Sequence, residues 1–317
     1  MTNYLIKRFL LNIPILLAVL VVVFVFVRLA PGDPVDAFAP PGHDISAVQK
    51  EALRHEMGLD RPPYVQFYYW MKEVTKGNLG YRYKDGSPVA REIERRVPAT
   101  LLLTGTGIGI GVVLGVLLGL VSAHMKGSVI DHTLSLLAYV GVSGPVFLLG
   151  ILALYFLSMT LGWFPTGGYA TPGNGSVTDI LWHLILPASV LSIQYVATLM
   201  RYTRASLLEV MTQDYIRTGR AKGLSRSQVL TRHAFRNALI PIVTVIGANF
   251  ANIIGGAVFL ETIFSWPGMG TLLLDGIASR DYPLIMGITL WIAIAVLIVN
   301  LLTDVVYAFI DPRISLG

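Results

Sequence analysis

Six apolar runs, at about 9–27, 99–123, 134–161, 180–200, 238–264 and 284–310, interrupt the polar sequence of this chain. Each has roughly 18 or more residues, enough for a helix to cross a hydrocarbon core about 30 Å thick. Lipid offers no partner to a free backbone N–H or C=O, so such spans are helical. The pattern predicts an all-α polytopic membrane protein with six transmembrane helices. The first run follows Lys7 and Arg8, and Ala37-Phe38-Ala39 looks like a cleavage site. The run is longer than the roughly 7–15 apolar residues of a secretory signal, which predicts an uncleaved anchor. Gly144-Pro145 in the third run and Pro187 in the fourth predict kinks, tolerated where neighbouring helices re-satisfy the freed backbone groups.

The polar stretches are as informative as the apolar ones. Between the fourth and fifth runs lies a basic island from Asp214 through Tyr215, Ile216, Arg217, Thr218, Gly219, Arg220, Ala221, Lys222, Gly223 and Leu224 to Ser225. Asp214 suits an N-cap, Tyr215 to Lys222 suits a helix, and Gly223 stands where a C′ glycine stops one. Ser225-x-x-Gln228 then has the capping-box spacing that opens a second helix. Two short basic helices hinged at a glycine form a docking surface for a soluble partner.

Charge asymmetry orients the chain. The loop after the fourth run carries Arg201, Arg204, Arg217, Arg220, Lys222, Arg226, Arg232 and Arg236 against Glu209 and Asp214. The loop after the third carries Asp179 alone, and the loop after the fifth has Arg280 against Asp275 and Asp281. Basic residues in short loops stay in the cytoplasm, so both termini and the island are expected there. Residues 30–97 then fall outside as an extramembrane segment. Within it Gln49 to Met57 and Val65 to Val74 read as helices stopped near Gly58 and Gly77. Its aromatic group Tyr64, Phe67, Tyr68, Tyr69 and Trp70 suits either a membrane interface or a packed cap over the bundle.

Composition agrees with a membrane solvent. Of 317 residues, 54% are hydrophobic and 14% charged, whereas soluble domains average about 25% charged. The absence of cysteine excludes disulfides, thiolate metal sites and cysteine catalysis. A net charge of +5 raises the question of nucleic acid, but the basic residues sit in the loops that orient the chain, so membrane lipid and not nucleic acid is the expected environment.

Within the spans, Gly107, Gly111, Gly115 and Gly119 recur every four residues and share one helix stripe. Tight helix packing is the plain reading and a glycine-lined path the other. Asn249 and Asn252 lie deep in the fifth run, where interhelical hydrogen bonding and contact with a polar substrate are both open. Glu261 and Asp304 lie near span ends, where interfacial placement suffices. The amphipathic stretch from Trp266 to Ile277 is too short to span and either dips into the bundle or lies on its surface.

No Gly-x-x-x-x-Gly-Lys-Ser/Thr loop, His-Glu-x-x-His pair or Gly-x-Ser-x-Gly elbow occurs, and the six histidines are scattered. No nucleotide, metal or catalytic nucleophile has a visible carrier, so no catalytic, cofactor-binding or metal residue is assigned.

The island and its flanks resemble the cytoplasmic coupling loop of ABC importer permeases. Arg217-Thr218-Gly219 stands where Glu-Ala-Ala is usual, and Phe235-Arg236 where Leu-Pro is usual. In these departures the chain is similar to the dipeptide and oligopeptide permease branch. So are Ala30-Pro31-Gly32-Asp33-Pro34, Gly58-Leu59-Asp60-Arg61-Pro62, Glu261-Thr262-Ile263-Phe264-Ser265-Trp266-Pro267-Gly268, Arg280-Asp281-Tyr282-Pro283 and Asp311-Pro312-Arg313. Gly219 replaces a common alanine.

The resemblance implies a type I ABC importer permease fold in a bacterial or archaeal cell membrane. Residues 1–29 are expected to form the tail and first span, 30–97 the external segment, 98–310 the transmembrane domain with coupling loop 201–237, and 311–317 a cytoplasmic tail. Implied partners are a second homologous permease, two ABC ATPase subunits and an extracytoplasmic substrate-binding protein. ATP and Mg would be held by the ATPase subunits and no cofactor by this chain. Importers for nickel, glutathione and opines share the branch. A secondary transporter should carry ionisable groups at midspan, and these spans carry almost none. An intramembrane hydrolase needs a nucleophile with its base or a metal pair, and neither is visible.

Overall fold

A computed structural model of the chain describes residues 2–35, 46–214, 216, 228, 242–244 and 257–310. Its helices are α1 Thr2–Leu29, α2 Ala47–Glu56, α3 Pro63–Val74, α4 Val89–His124, α5 Val129–Ser143, α6 Val146–Ala153, α7 Val177–Val210, α8 Met269–Ala278 and α9 Tyr282–Ile310. A π-helical turn, Leu154–Thr160, extends α6. Among the described residues there is no β-strand, only one isolated bridge between Tyr81 and Pro88.

Among the described residues four helices, within α1, α4, α7 and α9, are long and apolar enough to cross a membrane. The third predicted span is not one rod. It breaks into α5 and the α6 segment, bent by 100°. Gly144 before the break is extended at φ −82°, ψ 133°, the region into which a following proline drives its neighbour. Pro145 supplies no N–H, and the side chain of Gln194 in α7 donates to the Gly144 carbonyl at 3.3 Å. Counting that pair as one span gives five. The predicted span at 238–264 falls mostly outside the described residues, of which 242–244 and 257–263 are helical.

The chain forms two compact units, one of residues 99–267 with 298–317, the other of residues 2–98 with 268–297. In the first, α7 contributes fourteen buried residues. On one side it meets the glycine stripe of α4. A methyl group added at Gly107, Gly115 or Gly119 would stand 2.8, 2.7 and 2.6 Å from Leu191, Leu199 and Thr203, and Gly111 abuts Tyr195 in the same way. Both rows step by four residues, so a ridge of α7 lies in a groove left by absent side chains. On another side Gly141 of α5 faces Ile193 and Ala197. Leu260, Phe264 and Trp266 close the remaining core with Leu184, Leu191 and Val146.

In the second unit Ser46 caps α2 in a capping box with Gln49, and Gly58 and Gly77 turn the chain at φ +65° and +82°. Phe24 of α1 meets Phe67 of α3 edge-on at 5.3 Å, beside a core of Leu20, Met286 and Leu290. Val89, Ile93, Met269, Leu272, Leu284 and Ile288 form another core. The charged tie of this unit is Arg82, whose side chain is 7% exposed. It pairs with Asp275 at 2.7 Å and with Asp281 at 3.5 Å. Asp281, wholly buried, also accepts from the backbone of Tyr83 and of Leu284. Burial pushes the Asp281 carboxyl above its ordinary range despite these donors. For Asp275, burial acts in the same direction but hydrogen bonds from Lys84 and Arg82 outweigh it and hold the group low.

The glycine groove makes a graded prediction. Gly115→Leu should cost roughly 1–3 kcal/mol or more through overpacking and appear as a lower thermal midpoint and loss of monodispersity in detergent. Gly109 has no atom within 4 Å of the position a methyl group would take. Gly109→Ala should leave the midpoint unchanged or raise it slightly, since alanine is the better helix former by about 1 kcal/mol. Equal loss in both variants would disprove the groove.

Candidate functional site

The basic island begins where α7 ends. After Val210 the chain turns through residues 211–213, with Thr212 N–H donating to Glu209 and Ile216 N–H to Gln213. Asp214 is helical and exposed. Ile216 is buried with Ala123, Leu199, Leu207 and Ile242, so the start of the island is pinned against α4 and α7 by an apolar contact. Tyr215, Arg217, Thr218, Gly219, Arg220, Ala221, Lys222, Gly223, Leu224, Asn249 and Asn252 lie outside the described residues.

Behind this start lies a buried polar clamp. Lys126, Gly127 and Ser128 turn the chain from α4 into α5, with Gly127 at φ +81°. Ser128 caps α5 by accepting from the Asp131 N–H. Asp131, 1% exposed, then takes four donors. The Arg204 guanidinium meets it through Nε at 2.7 Å and Nη2 at 2.9 Å, Gly127 N–H donates at 2.9 Å, and Ser122 Oγ donates as well. A two-pronged arginine contact fixes orientation as well as separation. One carboxylate therefore joins α4, α5 and α7 less than two turns before the end of α7. Charge counting placed Arg204 among the loop cations and passed over Asp131. The signal available for it was Ser128-x-x-Asp131, an N-terminal helix signature.

Glu261 lies near a span end yet is fully buried, accepting from Thr100 Oγ1 of α4 at 2.5 Å. Nearby Trp266, also fully buried, donates its indole N–H to Ala99 O at 2.8 Å and packs on Tyr169. Ser265 holds φ +49° at the turn between them. The stretch from Glu261 to Trp266 is thus locked to the residues at 99–100. Gly111 and Gly115 sit in the α4–α7 contact.

The other motifs also meet in space. A methyl group at Gly32, φ +107°, would run into the Arg280 guanidinium. Gln66 donates to the carbonyls of Leu59 and Arg61 and accepts from Arg28, linking the Gly58–Pro62 turn to the end of α1. Among the described residues no cluster of three or more His, Asp or Glu side chains is arranged to hold a metal.

Comparison with known proteins supplies the identity of this arrangement. Residues 111–316 match the family described as binding-protein-dependent transport system inner membrane component, and residues 1–104 match its N-terminal companion. A putative peptide permease protein of Brucella suis biovar 1 is 45% identical over 317 residues, covering 99% of each chain. The oligopeptide transport system permease protein AppB of Bacillus subtilis is 41% identical over 317 residues, covering 99% of this chain and all of its own. The glutathione transport system permease protein GsiC of Escherichia coli O6:H1 is 40% identical over 314 residues, covering 99% of each. These relatives are named as permeases, transport components and not enzymes. Among solved structures, inward-facing forms of the MetNI methionine ABC transporter align with 69% of this chain and 96% of their own, at TM-scores of 0.54 and 0.57 and identities of 16% and 18%. At that identity the likeness carries the fold. The chain is a multi-pass membrane protein and belongs to the binding-protein-dependent transport system inner membrane components.

Proposed function

We propose that this chain is one permease subunit of an ATP-driven importer for di- or oligopeptides. It supplies half of a translocation pathway, and a second homologous permease supplies the rest. Two ABC ATPase subunits dock on the loop at 201–237, and an extracytoplasmic binding protein delivers cargo to the face that includes residues 30–97. The transmembrane domain is 98–310, preceded by the first span within 1–29 and followed by a tail at 311–317. The observation that supports peptide cargo is end-to-end similarity above 40% to proteins named as peptide permeases. Glutathione is the second reading, supported by a relative of nearly equal similarity that is named for it.

The Asp131–Arg204 clamp supports the coupling role. A loop that transmits a push needs a rigid root, and this carboxylate joins three helices directly behind Ile216. Gly223 lies outside the described residues, and its place in the sequence, after the helix-forming stretch Tyr215 to Lys222, supports its role as the hinge of the island. At a left-handed bend a side chain would cost roughly 1–2 kcal/mol, and it would also intrude on the partner.

Three outcomes follow. In cells expressing the complete importer, uptake of a labelled tripeptide should be suppressed by other di- and tripeptides at far lower concentration than by glutathione; the reverse order would reassign the cargo. A reporter active only in the cytoplasm should signal when fused after Gly223 and stay silent after Gly86, and the opposite pattern would invert the topology. In the purified complex, Gly223→Asp should abolish peptide-stimulated ATP hydrolysis while membrane insertion persists. Arg204→Gln should lower it several-fold, and adding Asp131→Asn should cost little more, because the two residues act as one contact. Full stimulation with Gly223→Asp would remove the coupling role from this loop.

A further inference from the structure

Within residues 2–98 and 268–297 the chain encloses a cleft of about 840 Å³, between the end of α1, the α2–α3 turn, the 80–86 loop and the start of α9. Ligand sites of small molecules occupy roughly 300–1,000 Å³. Phe24, Tyr69, Trp70 and Tyr282 contribute aromatic walls. Most of the charged lining is committed to internal partners: Arg82 and Lys84 to Asp275, Asp85 to Arg82, and Glu73 to Lys76. Three charges are different. Arg28 is held by the neutral Gln66 and lies over the rings of Phe24 and Tyr282, and Arg61 lies over Tyr69 at 5.1 Å. Neither they nor Glu56, on the same lining, pairs with an opposite charge among the described residues.

Two buried donors sharpen the point. Arg28 Nε and Trp70 Nε1 are both inaccessible to solvent and have no hydrogen-bond acceptor among the described residues. A buried unsatisfied N–H costs roughly 1–3 kcal/mol, more when charged, and both side chains line the same cleft. Either side chain, turned slightly toward the cleft that both line, brings its N–H to an anionic acceptor small enough to enter. A carboxylate suits, because guanidinium and carboxylate match in plane and charge.

We propose that this cleft binds a short peptide, its C-terminal carboxylate held by Arg28 and Trp70, its ammonium complemented by Glu56, and a side chain laid against the aromatic wall. The proposal rests on the peptide-import reading and adds a peptide-binding site on the permease itself, on the side assigned to the exterior. Occupancy by cargo there would hold substrate released by the binding protein close to the membrane entrance.

The test uses the assembled permease–ATPase complex in phosphatidylcholine nanodiscs, without binding protein, and measures equilibrium binding of radiolabelled trialanine. Binding should saturate, and trialanine amide should bind at least tenfold more weakly. Arg28→Gln should lose trialanine by a similar factor and no longer distinguish the acid from the amide. Trp70→Phe keeps a ring in the wall and should weaken binding several-fold; both variants should elute from size exclusion as the wild type does. Absence of saturable binding to the wild type overturns the proposal, as does an amide penalty in Arg28→Gln equal to that in the wild type. Loss of trialanine binding when phosphatidylglycerol is added to the nanodiscs overturns it too, assigning the cleft to a lipid headgroup. Uptake of trialanine by the complete importer is measured in parallel. Uptake without cleft binding sinks the cleft alone; cleft binding without uptake of any peptide sinks the import reading alone.

Discussion

The approach of α4 to α7 through the stripe of Gly107, Gly111, Gly115 and Gly119 is the contact on which the larger unit depends. Helices in lipid gain little from excluding water, since the alternative surroundings are as apolar as leucine, and dispersion at short range has to supply the association. Four missing side chains let the Leu191, Tyr195, Leu199 and Thr203 ridge settle between α4 turns. Once α7 is seated, its other residues fall into place. Ile193 and Ala197 meet Gly141 of α5, Gln194 reaches the Gly144 carbonyl, and Arg204 reaches Asp131. A small-residue groove thus positions a polar clamp at its own end, Arg204 following Thr203 and Ser122 lying less than a turn beyond Gly119.

The second rule of the molecule is that no polar group goes into an apolar place without a stated partner, and the exceptions are informative. Pro145 breaks a span, and a glutamine from a neighbouring helix answers the carbonyl beside it. Asp131 is buried with four donors, Glu261 with Thr100, and Asp281 with two backbone N–H groups and Arg82. Such groups confer little net stability over an apolar core, but each is strongly unfavourable when a partner is removed, so they define one arrangement among several that hydrophobic packing alone would tolerate. Among the described residues several buried side-chain atoms depart from that pattern, and three of them, Arg28 Nε, Trp70 Nε1 and Arg82 Nε, belong to residues that line one cleft.

Several elements were legible in the residues. The spans in α1, α4, α7 and α9 follow from apolar length, though α1, α4 and α7 run several residues beyond the apolar runs, and α2 and α3 follow from periodicity with glycine stops, both within two residues of the expected bounds. The Gly144-Pro145 interruption was visible, but not its size. A proline removes one hydrogen bond, which fits a slight bend as well as one of 100°; the larger bend leaves the Gly144 carbonyl to a partner outside the helix, and Gln194 supplies it. Glu261 read as interfacial because its position near a span end permits that, and its burial against Thr100 depends on a residue 161 positions away.

By itself the sequence determined that this is a helical membrane protein, where the apolar centres of α1, α4, α7 and α9 lie, which loops are basic, and which family its motifs resemble. These are one-dimensional properties, set by run length, charge count and local backbone preference. Only the tertiary structure decided that the glycine stripe of α4 faces α7, that Asp131 and Arg204 share one bidentate contact, and that Gly32 lies against Arg280. Each is a meeting of residues far apart in the chain. Local preference carries no information about such pairs, because the free energy that selects them arises only when the two surfaces touch.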